Sequence, residues 1–404
     1  MQSAYRRNHS VETALLGVSN DLLLTIDKGL EAILLLLDYS AAFDTICHDT
    51  LLRRLHIRFG FCGTALRWLE SYITDRSQSV VIEGQASASC LLRRGVPQGS
   101  VLGPILFTMY SSPVEDLITS FGFGHAIYAD DTQIYATGKQ SDWPVIIPKL
   151  EECLHAIADW SSVNGLSINE GKTELLHICS RFRTRSSLPP ITFNKSILHP
   201  TRCARNLGVL FDNQLTLTDH ISSICRAASF GLYKIGSIRR YLDQSATERL
   251  IHAFVMSRID NCNGLLYGLS DLLLGRLQRI QNSAARLVTR TRSHESISPI
   301  LHTLHWLPVK DRLVFKLLII AYKCQHQLAP HYLQQLLQEY QPSRLLRSST
   351  KQLLTPHNVV TKSYGQRSFQ YSIPHLWNQL PGNIRECSSV DQFKSLLKSH
   401  LFVK

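Results

Sequence analysis

The sequence lacks the features that mark membrane, secreted and zinc-binding proteins. Its longest uninterrupted apolar run is too short to span a bilayer, and Lys316 interrupts the other candidate segment, 313–322. The first ten residues are polar and basic, so we expect no signal peptide. The 10 cysteines are scattered without a Cys-x-x-Cys pair, which argues against a disulfide framework or a zinc knuckle. These absences predict an intracellular protein, in the nucleus and cytoplasm, with no membrane partner.

Charge is distributed unevenly along the 404 residues. Residues 1–180 hold 13 of the 43 Lys and Arg residues but 20 of the 31 Asp and Glu residues, so the remainder is strongly basic. An acidic part can hold cations and a basic part can neutralise nucleic-acid phosphates, although a solvated helix face is the simpler interpretation of any single arginine. The arginine clusters are Arg181, Arg183 and Arg185; Arg239 and Arg240; and Arg286, Arg290 and Arg292.

The tetrapeptide Tyr128-Ala129-Asp130-Asp131 lies between two short apolar runs, 124–127 and 132–136. This pattern predicts a β-hairpin with the aspartates at its turn. Adjacent carboxylates repel each other, and a fold retains them most easily when a cation neutralises them. An ordinary acidic surface turn is the alternative, and the tetrapeptide alone does not decide between the two.

Two upstream segments supply the context. Residues 32–44, AILLLLDYSAAFD, predict a buried central strand that ends at Asp38, with Phe43 five residues later. Residues 93–103, RRGVPQGSVLG, predict a glycine-rich loop whose backbone can approach a ligand closely. Ser100 could cap the helix that follows, which we expect to run from 101 to 120 and to present its amino end to an anion.

In this order the three segments resemble motifs A, B and C of a reverse transcriptase. The surrounding sequence resembles the non-LTR (LINE-type) retrotransposon branch, through SVETALL near residue 11, WNQLPGNIRE at 377 and FKSLLKSHLF at 393. The resemblance covers essentially the whole chain. It implies an RNA-directed DNA polymerase that adds deoxynucleotide triphosphates to a DNA primer on an RNA template.

The resemblance also implies the metal and catalytic residues. Asp38 and Asp130, with Asp131 as an auxiliary acid, would bind two Mg²⁺ ions, for which Mn²⁺ could substitute. Lys172, within a segment resembling motif D, would lie near the leaving pyrophosphate. The structural alternatives are that Asp38 caps a strand and that Lys172 is a solvated turn residue.

Nucleotide and nucleic-acid contacts follow from the same resemblance. Phe43 matches the steric gate that selects deoxynucleotides, although an ordinary core aromatic is the alternative. The implied nucleotide-binding residues are Phe43, Gly95, Pro97, Gln98, Gly99 and Tyr128. The implied primer- and template-binding residues are Leu207, Gly208, Arg181, Arg183, Arg239 and Arg240.

The implied fold is α+β. It is a right-hand polymerase palm, a mostly antiparallel sheet with helices on one face, followed by a helical thumb and a small helical C-terminal region. Strands near 166–168, 173–179, 191–193 and 207–211 should complete the palm sheet. The expected divisions are 1–31 as a remnant of the fingers, 32–212 as palm, 213–299 as thumb and 300–404 without an assigned role.

The sequence also departs from the family pattern. No endonuclease domain precedes the motifs and the fingers are incomplete, so the chain resembles a 5′-truncated element. A catalytically inactive, nucleic-acid-binding remnant is therefore the alternative function. A two-carboxylate hydrolase is a weaker alternative, because that reaction requires neither the Gly95 loop nor the Phe43 spacing. An RNA-binding protein of the same element is a further partner that the resemblance allows.

Overall fold

The computed structural model describes residues 2–40, 43–97, 99–182, 188–194, 196–341 and 352–403. The chain divides into two compact units. Unit 1 consists of Met1–Arg7, Glu31–His177 and Thr184–Thr201, and unit 2 of Asn8–Leu30, Ile178–Arg183 and Arg202–Lys404.

Helices and strands occur in both units. The helices of the described residues are α1 Val11–Asp27, α2 His48–Ile57, α3 Gly63–Ile73, α4 Gly103–Ser111, α5 Pro113–Ser120, α6 Trp143–Val163, α7 Thr218–Ile238, α8 Gln244–Ile251, α9 Ser257–Asp260, α10 Asp271–Thr289, α11 Ile297–Thr303, α12 Val309–Gln325, α13 His331–Gln334, α14 Phe369–Asn378, α15 Gly382–Arg385 and α16 Val390–Val403. The strands are β1 Glu31–Leu37, β2 Tyr39–Ser40, β3 Arg76–Gln78, β4 Val81–Ile82, β5 Gln85–Ala86, β6 Cys90–Leu92, β7 Gly124–Tyr128, β8 Asp131–Gly138, β9 Ser167–Ile168, β10 Glu174–Ile178, β11 Ile191–Phe193, β12 Ser196–Leu198, β13 Pro200–Thr201, β14 Cys203–Asn206 and β15 Val209–Asp212.

Unit 1 is built on a five-stranded sheet in the order β13-β10-β1-β8-β7. The predicted central strand is β1, whose run of leucines is almost entirely buried. Its side chains Ile33, Leu35 and Leu37 share one core with residues of α5 and α6. Strand β8 pairs antiparallel with both β1 and β7, whereas β10 and β13 are parallel, so the sheet is mixed.

Three of the strands expected to complete this sheet lie elsewhere. Strand β9 pairs with β2, β11 pairs with β12, and β15 pairs with β14, each as a separate two-stranded ribbon. Only the expected strand 173–179, found as β10, joins the main sheet. For β11 and β15 the partner is the adjacent strand in sequence, and closing such a short loop costs little entropy.

The prediction of one continuous helix over 101–120 was wrong. The segment forms two helices, α4 and α5. Pro113 has no backbone N–H to donate to the carbonyl of Met109 and so interrupts the helical hydrogen-bond ladder. The hydroxyl of Ser112 donates to that carbonyl instead, over 2.9 Å. By contrast, the apolar spacing from residue 48 and over 143–163 is typical of helices, and both segments are helical, as α2 and α6.

Unit 2 is predominantly helical. The sequence beyond residue 213 has a helical and basic pattern, and the structure has there α7, the segment that begins with α8, and α10. Trp306 and Trp377 are only 3% and 1% exposed, so both pack inside this helical region. Among the described residues, no helix combines the length and the apolar character needed to cross a bilayer.

Helix α1 and the three residues before it belong to unit 2, while residues 2–7 belong to unit 1. The expected segment 1–31 therefore contributes to both units. Asp27 at the end of α1 accepts hydrogen bonds from the backbone of Val360 (2.9 Å) and of Thr361 (2.6 Å), and another from the Thr361 hydroxyl (2.6 Å). One carboxylate thus connects α1 to a segment more than 330 residues away in sequence.

We predict that Asp27→Asn destabilises unit 2. The amide cannot replace all of the charge-assisted hydrogen bonds, each worth about 1.5–3 kcal/mol, so the backbone amides of Val360 and Thr361 should lose protection from hydrogen exchange. Asp391→Asn is a suitable control, because Asp391 is 92% exposed and its ion pair is with Lys394 on the same helix. Equal protection of those two amides in the Asp27→Asn and unsubstituted proteins would contradict the prediction.

The same substitution should have a pH-dependent effect. Burial favours a higher pKa for Asp27, but the hydrogen bonds from Thr361 and the neighbouring amides outweigh it and lower the pKa. The stabilisation is therefore complete above the unfolded-state pKa of about 3.9 and is lost as the pH falls through the lower folded-state pKa. The difference in unfolding free energy between the two proteins should accordingly shrink in acid.

Candidate active site

The carboxylates predicted to act together lie at one end of the unit 1 sheet. In the antiparallel register of β1 and β8, Leu37 pairs with Thr132, so Asp38 and Asp131 are the next residues on the two strands. Strand β7 closes the hairpin by pairing Tyr128 with Asp131. The turn between them consists of Ala129, in the left-handed region at φ 58°, and Asp130. The structure thus brings all three predicted aspartates together.

Burial and mutual repulsion act on these carboxylates. Burial raises the pKa of Asp131 to about 6, with further contributions from the charges of Asp130 and Asp38. Burial also raises the pKa of Asp130, and the Asp38 charge acts in the same direction. Ionisation of Asp130 and Asp131 is therefore electrostatically unfavourable in the folded chain, and a bound cation would reduce the repulsion.

Asp38 is held by its backbone, while part of its carboxylate has no hydrogen bond. Its carbonyl accepts from the backbone N–H of Asn169 over 2.8 Å, beside the short β2–β9 ladder. Its Oδ2 atom is buried and accepts no hydrogen bond from the described residues. The ammonium of Lys172 lies 3.4 Å from this atom and is itself 70% exposed. The structure therefore places the predicted basic residue directly beside a predicted metal ligand.

These features fit a divalent cation. Mg²⁺ prefers carboxylate oxygens and commonly takes one or two of them together with substrate phosphates. Asp38 offers a buried oxygen without a hydrogen bond, and Asp130 and Asp131 are the carboxylates that feel its charge. Within the described ranges, no three His, Cys, Asp or Glu side chains already form a metal-binding group. The three aspartates alone therefore do not make a complete metal-binding group.

A residue that the sequence analysis missed holds the hairpin turn. The side-chain amide of Gln2 accepts from the N–H of Ala129 over 3.0 Å and donates to its carbonyl over 3.3 Å. The N–H of Ser3 also donates to the Ile127 carbonyl over 2.8 Å. Gln2 thereby satisfies both backbone groups of the left-handed turn residue. No local sequence pattern indicates a contact that spans 127 positions.

Phe43 and the Gly95 loop pack against each other. The Phe43 ring is half-buried, with its centroid 4.9 Å from that of Phe107, and its carbonyl accepts from the Val96 N–H over 3.0 Å. Gly95 has φ 89°, and a Cβ there would lie 2.9 Å from the Asp44 carbonyl oxygen. The glycine is therefore required by contact between the two predicted motifs, whereas a Cβ at Gly99 (φ 77°) would meet no atom within 4 Å.

A cavity of about 530 Å³ with both polar and apolar lining opens beside this loop. Gly95 and Pro97 line it, together with Arg76, Arg94 and Asp44. Arg76 and Arg94 were not predicted as site residues, although Arg94 immediately precedes Gly95. Gln98, which was predicted to bind the nucleotide, lies outside the described residues, and so does Arg183. Tyr128 is half-buried on β7, opposite Asp131.

The other predicted nucleic-acid contacts lie in unit 2. Leu207 (φ 45°) and Gly208 (φ 87°) form a tight turn between β14 and β15, of the kind that needs two left-handed residues. Arg181 is exposed and donates to the Ser363 hydroxyl over 3.1 Å. Arg240 is also exposed, with its guanidinium 4.6 Å from the ring centroid of Tyr241.

Arg239 is positioned differently from the prediction. It is only 9% exposed, and its guanidinium donates to the backbone carbonyls of Leu242, Leu287 and Val288 over 2.6–2.8 Å. Two of those carbonyls belong to the last turn of α10, where a cation also complements the helix dipole. Arg239 therefore stabilises a helix end, and of the pair only Arg240 presents its charge at the surface.

Comparison with known proteins gives one family match. The model of the family described as reverse transcriptase (RNA-dependent DNA polymerase) matches residues 1–211. An RNA-directed DNA polymerase from the mobile element jockey of Drosophila funebris is 30% identical over 228 residues, covering 55% of this chain and 24% of that protein. A probable RNA-directed DNA polymerase from transposon X-element of Drosophila melanogaster is 28% identical, covering 71% of this chain and 32% of that protein. The chain thus spans about a quarter to a third of these relatives.

Solved structures give a weaker likeness. Apo telomerase from Candida tropicalis is 12% identical, with a TM-score of 0.39, over 77% of this chain and 51% of that one. Telomerase from Candida albicans in complex with a fragment of telomeric RNA is 14% identical, with a TM-score of 0.37, over 78% of this chain and 51% of that one.

We predict that Gly95→Ala destabilises unit 1 more than Gly99→Ala does. Both positions have positive φ, so both alanines carry a backbone cost of about 1–2 kcal/mol. Only the Cβ at position 95 would also overlap with backbone atoms, those of Asp44. This overpacking should add about 1–3 kcal/mol to the loss of unfolding free energy. Urea unfolding of the two variants measures the difference. Equal losses of unfolding free energy would show that Gly95 is needed for its conformation alone.

Proposed function

The chain belongs to the reverse transcriptase (RNA-dependent DNA polymerase) family, and we propose that it carries out two-metal nucleotidyl transfer for a non-LTR retrotransposon. The proposed reaction extends a DNA primer with deoxynucleotides on an RNA template. The observation that carries the proposal is the meeting of Asp38 with Asp130 and Asp131 at the end of β1 and β8. A polymerase is favoured over the hydrolase alternative because the Gly95 loop packs against residues 43–46, which follow Asp38 closely in the chain.

The chain's own residues would bind and position the reactants. Asp38, Asp130 and Asp131 would hold two Mg²⁺ ions, which would supply charge neutralisation and activation of the primer 3′-hydroxyl. Lys172, whose ammonium already lies near Asp38, would place positive charge where the pyrophosphate leaves. Tyr128 and the loop that contains Gly95, Pro97 and Gly99 would border the nucleotide.

Selection of the sugar is assigned to Phe43. Its ring packs against Phe107, and its backbone carbonyl accepts a hydrogen bond from the Val96 N–H. These two contacts restrict the movement of the side chain. A fixed ring beside the sugar would exclude a 2′-hydroxyl by steric overlap. Exposed cations of unit 2, including Arg181 and Arg240, would neutralise primer and template phosphates, which makes binding sensitive to salt.

We expect Asp130→Asn to reduce primer extension on an RNA template by at least about 100-fold, about 2.7 kcal/mol of barrier. Because burial and the Asp38 charge already oppose ionisation of Asp130, the neutral residue should leave the fold intact or stabilise it. Asp159→Asn is the matched control, since Asp159 is exposed on α6. Extension equal to that of the unsubstituted chain would reject this site, whereas salt-sensitive binding without any extension would favour the inactive, nucleic-acid-binding alternative.

We expect Phe43→Val to weaken discrimination against ribonucleotides. Removing the ring opens space for a 2′-hydroxyl, and one excluded group in a pocket is worth about 10–200-fold in specificity. The ratio of kcat/KM for a deoxynucleotide to that for the matching ribonucleotide should therefore fall by at least about tenfold. Phe59→Val, at an exposed phenylalanine of the same unit, should leave the ratio unchanged. If this kcat/KM ratio is unchanged in Phe43→Val, Phe43 does not select the sugar and is an ordinary core aromatic.

A further inference from the structure

Unit 2 contains a second cavity, in the region to which the sequence analysis gave no role. Its volume is about 460 Å³, which falls in the range of about 300–1,000 Å³ common for small-molecule sites. The starts of α10 and α12, the short 3₁₀ turn Gly365–Arg367 and helix α14 surround it. Its floor includes the buried apolar side chains Leu274 and Leu313.

Positive charge dominates the wall of this cavity. Lys310, Lys362 and Arg367 line it, and Asp271 is the carboxylate among its lining residues. Asp271 is engaged by Lys310, whose ammonium lies 2.6 Å from its Oδ1. Lys362 is exposed, and its charge contributes less than Lys310 does to lowering the pKa of Asp271. Two cations therefore remain in excess over the carboxylate.

Arg367 is the most unusual of these residues. Its Nε atom is buried without a hydrogen-bond partner among the described residues, while Nη1 donates to the Ser363 carbonyl over 3.2 Å. Burial lowers the pKa of its guanidinium to about 10, so the charge persists at neutral pH. Asp212 is the carboxylate that acts on it, but Asp212 accepts hydrogen bonds from the backbone of Gln214, Thr216 and Leu217. A partly buried cation whose Nε has no acceptor among the described residues is costly, and an anion in the cavity would offset that cost.

Aromatic side chains form another part of the wall. Tyr371 and His375 lie one turn apart on α14, with ring centroids 4.1 Å apart and planes inclined by 44°. Tyr267 lines the cavity as well, and it is near enough to Tyr371 for the two hydroxyls to interact electrostatically. Such a paired aromatic surface suits stacking against a planar base.

We propose that this cavity binds a nucleoside phosphate, with the phosphate at Lys362 and Arg367 and the base against Tyr371 and His375. Arginine and lysine together supply the charge-assisted donors that a phosphate requires. The cavity offers both chemistries within the volume of one nucleotide. The proposal is independent of the carboxylate site in unit 1. The ligand is either a nucleotide of a single strand or a free mononucleotide, and the experiment separates these two sources.

Calorimetric titration of the full chain in EDTA tests the proposal, because removing divalent metal suppresses nucleotide binding at the carboxylates. The probes are adenosine 5′-monophosphate, inorganic phosphate and a single-stranded RNA 12-mer. Lys362→Glu should weaken adenosine monophosphate binding by about tenfold or more, since it reverses a charge at an exposed position. Lys394→Glu makes the same change on α16, outside the cavity, and should have no effect. Arg367→Met keeps the aliphatic stem that packs against Gly268 and should abolish phosphate binding.

Each outcome decides part of the proposal. Absence of saturable adenosine monophosphate binding, or equal affinity in Lys362→Glu and Lys394→Glu, overturns it. Tyr371→Leu should weaken adenosine monophosphate binding more than phosphate binding, and an equal effect on both would overturn the assignment of the base. RNA binding at least about tenfold tighter than the mononucleotide, and equally sensitive to Lys362→Glu, identifies a strand as the occupant. Similar affinities for both identify a free nucleotide.

Discussion

The register between β1 and β8 is the constraint on which the unit 1 site depends. Ile33, Leu35 and Leu37 of β1 share one core with α5 and α6, and a shift by one residue would turn these three side chains away from those helices. With Leu37 paired to Thr132, Asp38 and Asp131 leave the sheet at the same end. The position of a polar site thus depends on the packing of apolar side chains.

The resulting corner of charge is held at a cost. Desolvation and the charge of Asp38 raise the pKa values of Asp130 and Asp131, and one oxygen of Asp38 is buried without a hydrogen bond from the described residues. Lys172 offsets part of this charge from an exposed position. A site that is locally unfavourable but surrounded by a well-packed sheet is typical of chemistry that a ligand completes. Arg367 in unit 2 shows the same imbalance with the opposite sign.

Sequence patterns predicted the parts of the structure that are encoded locally. The Asp130 hairpin, the buried strand before Asp38 and helix α6 follow from short-range periodicity and turn residues, and the helical character of unit 2 follows similarly. The division between α4 and α5 was missed although Pro113 marks it. Other features could not be read locally. The pairing of β2 with β9, the burial of Arg239 and the interaction of Gln2 with Ala129 depend on tertiary packing, because residues far apart in sequence determine them.

The attachment of Gln2 to the turn at Ala129 has a practical consequence for how the protein is handled. An affinity tag or fusion partner joined at the amino terminus would be tethered one residue from the side chain that holds the aspartate hairpin. The carboxyl terminus follows α16 and belongs to unit 2. Purification handles are therefore better placed there, so that the hairpin is assayed with its own backbone support.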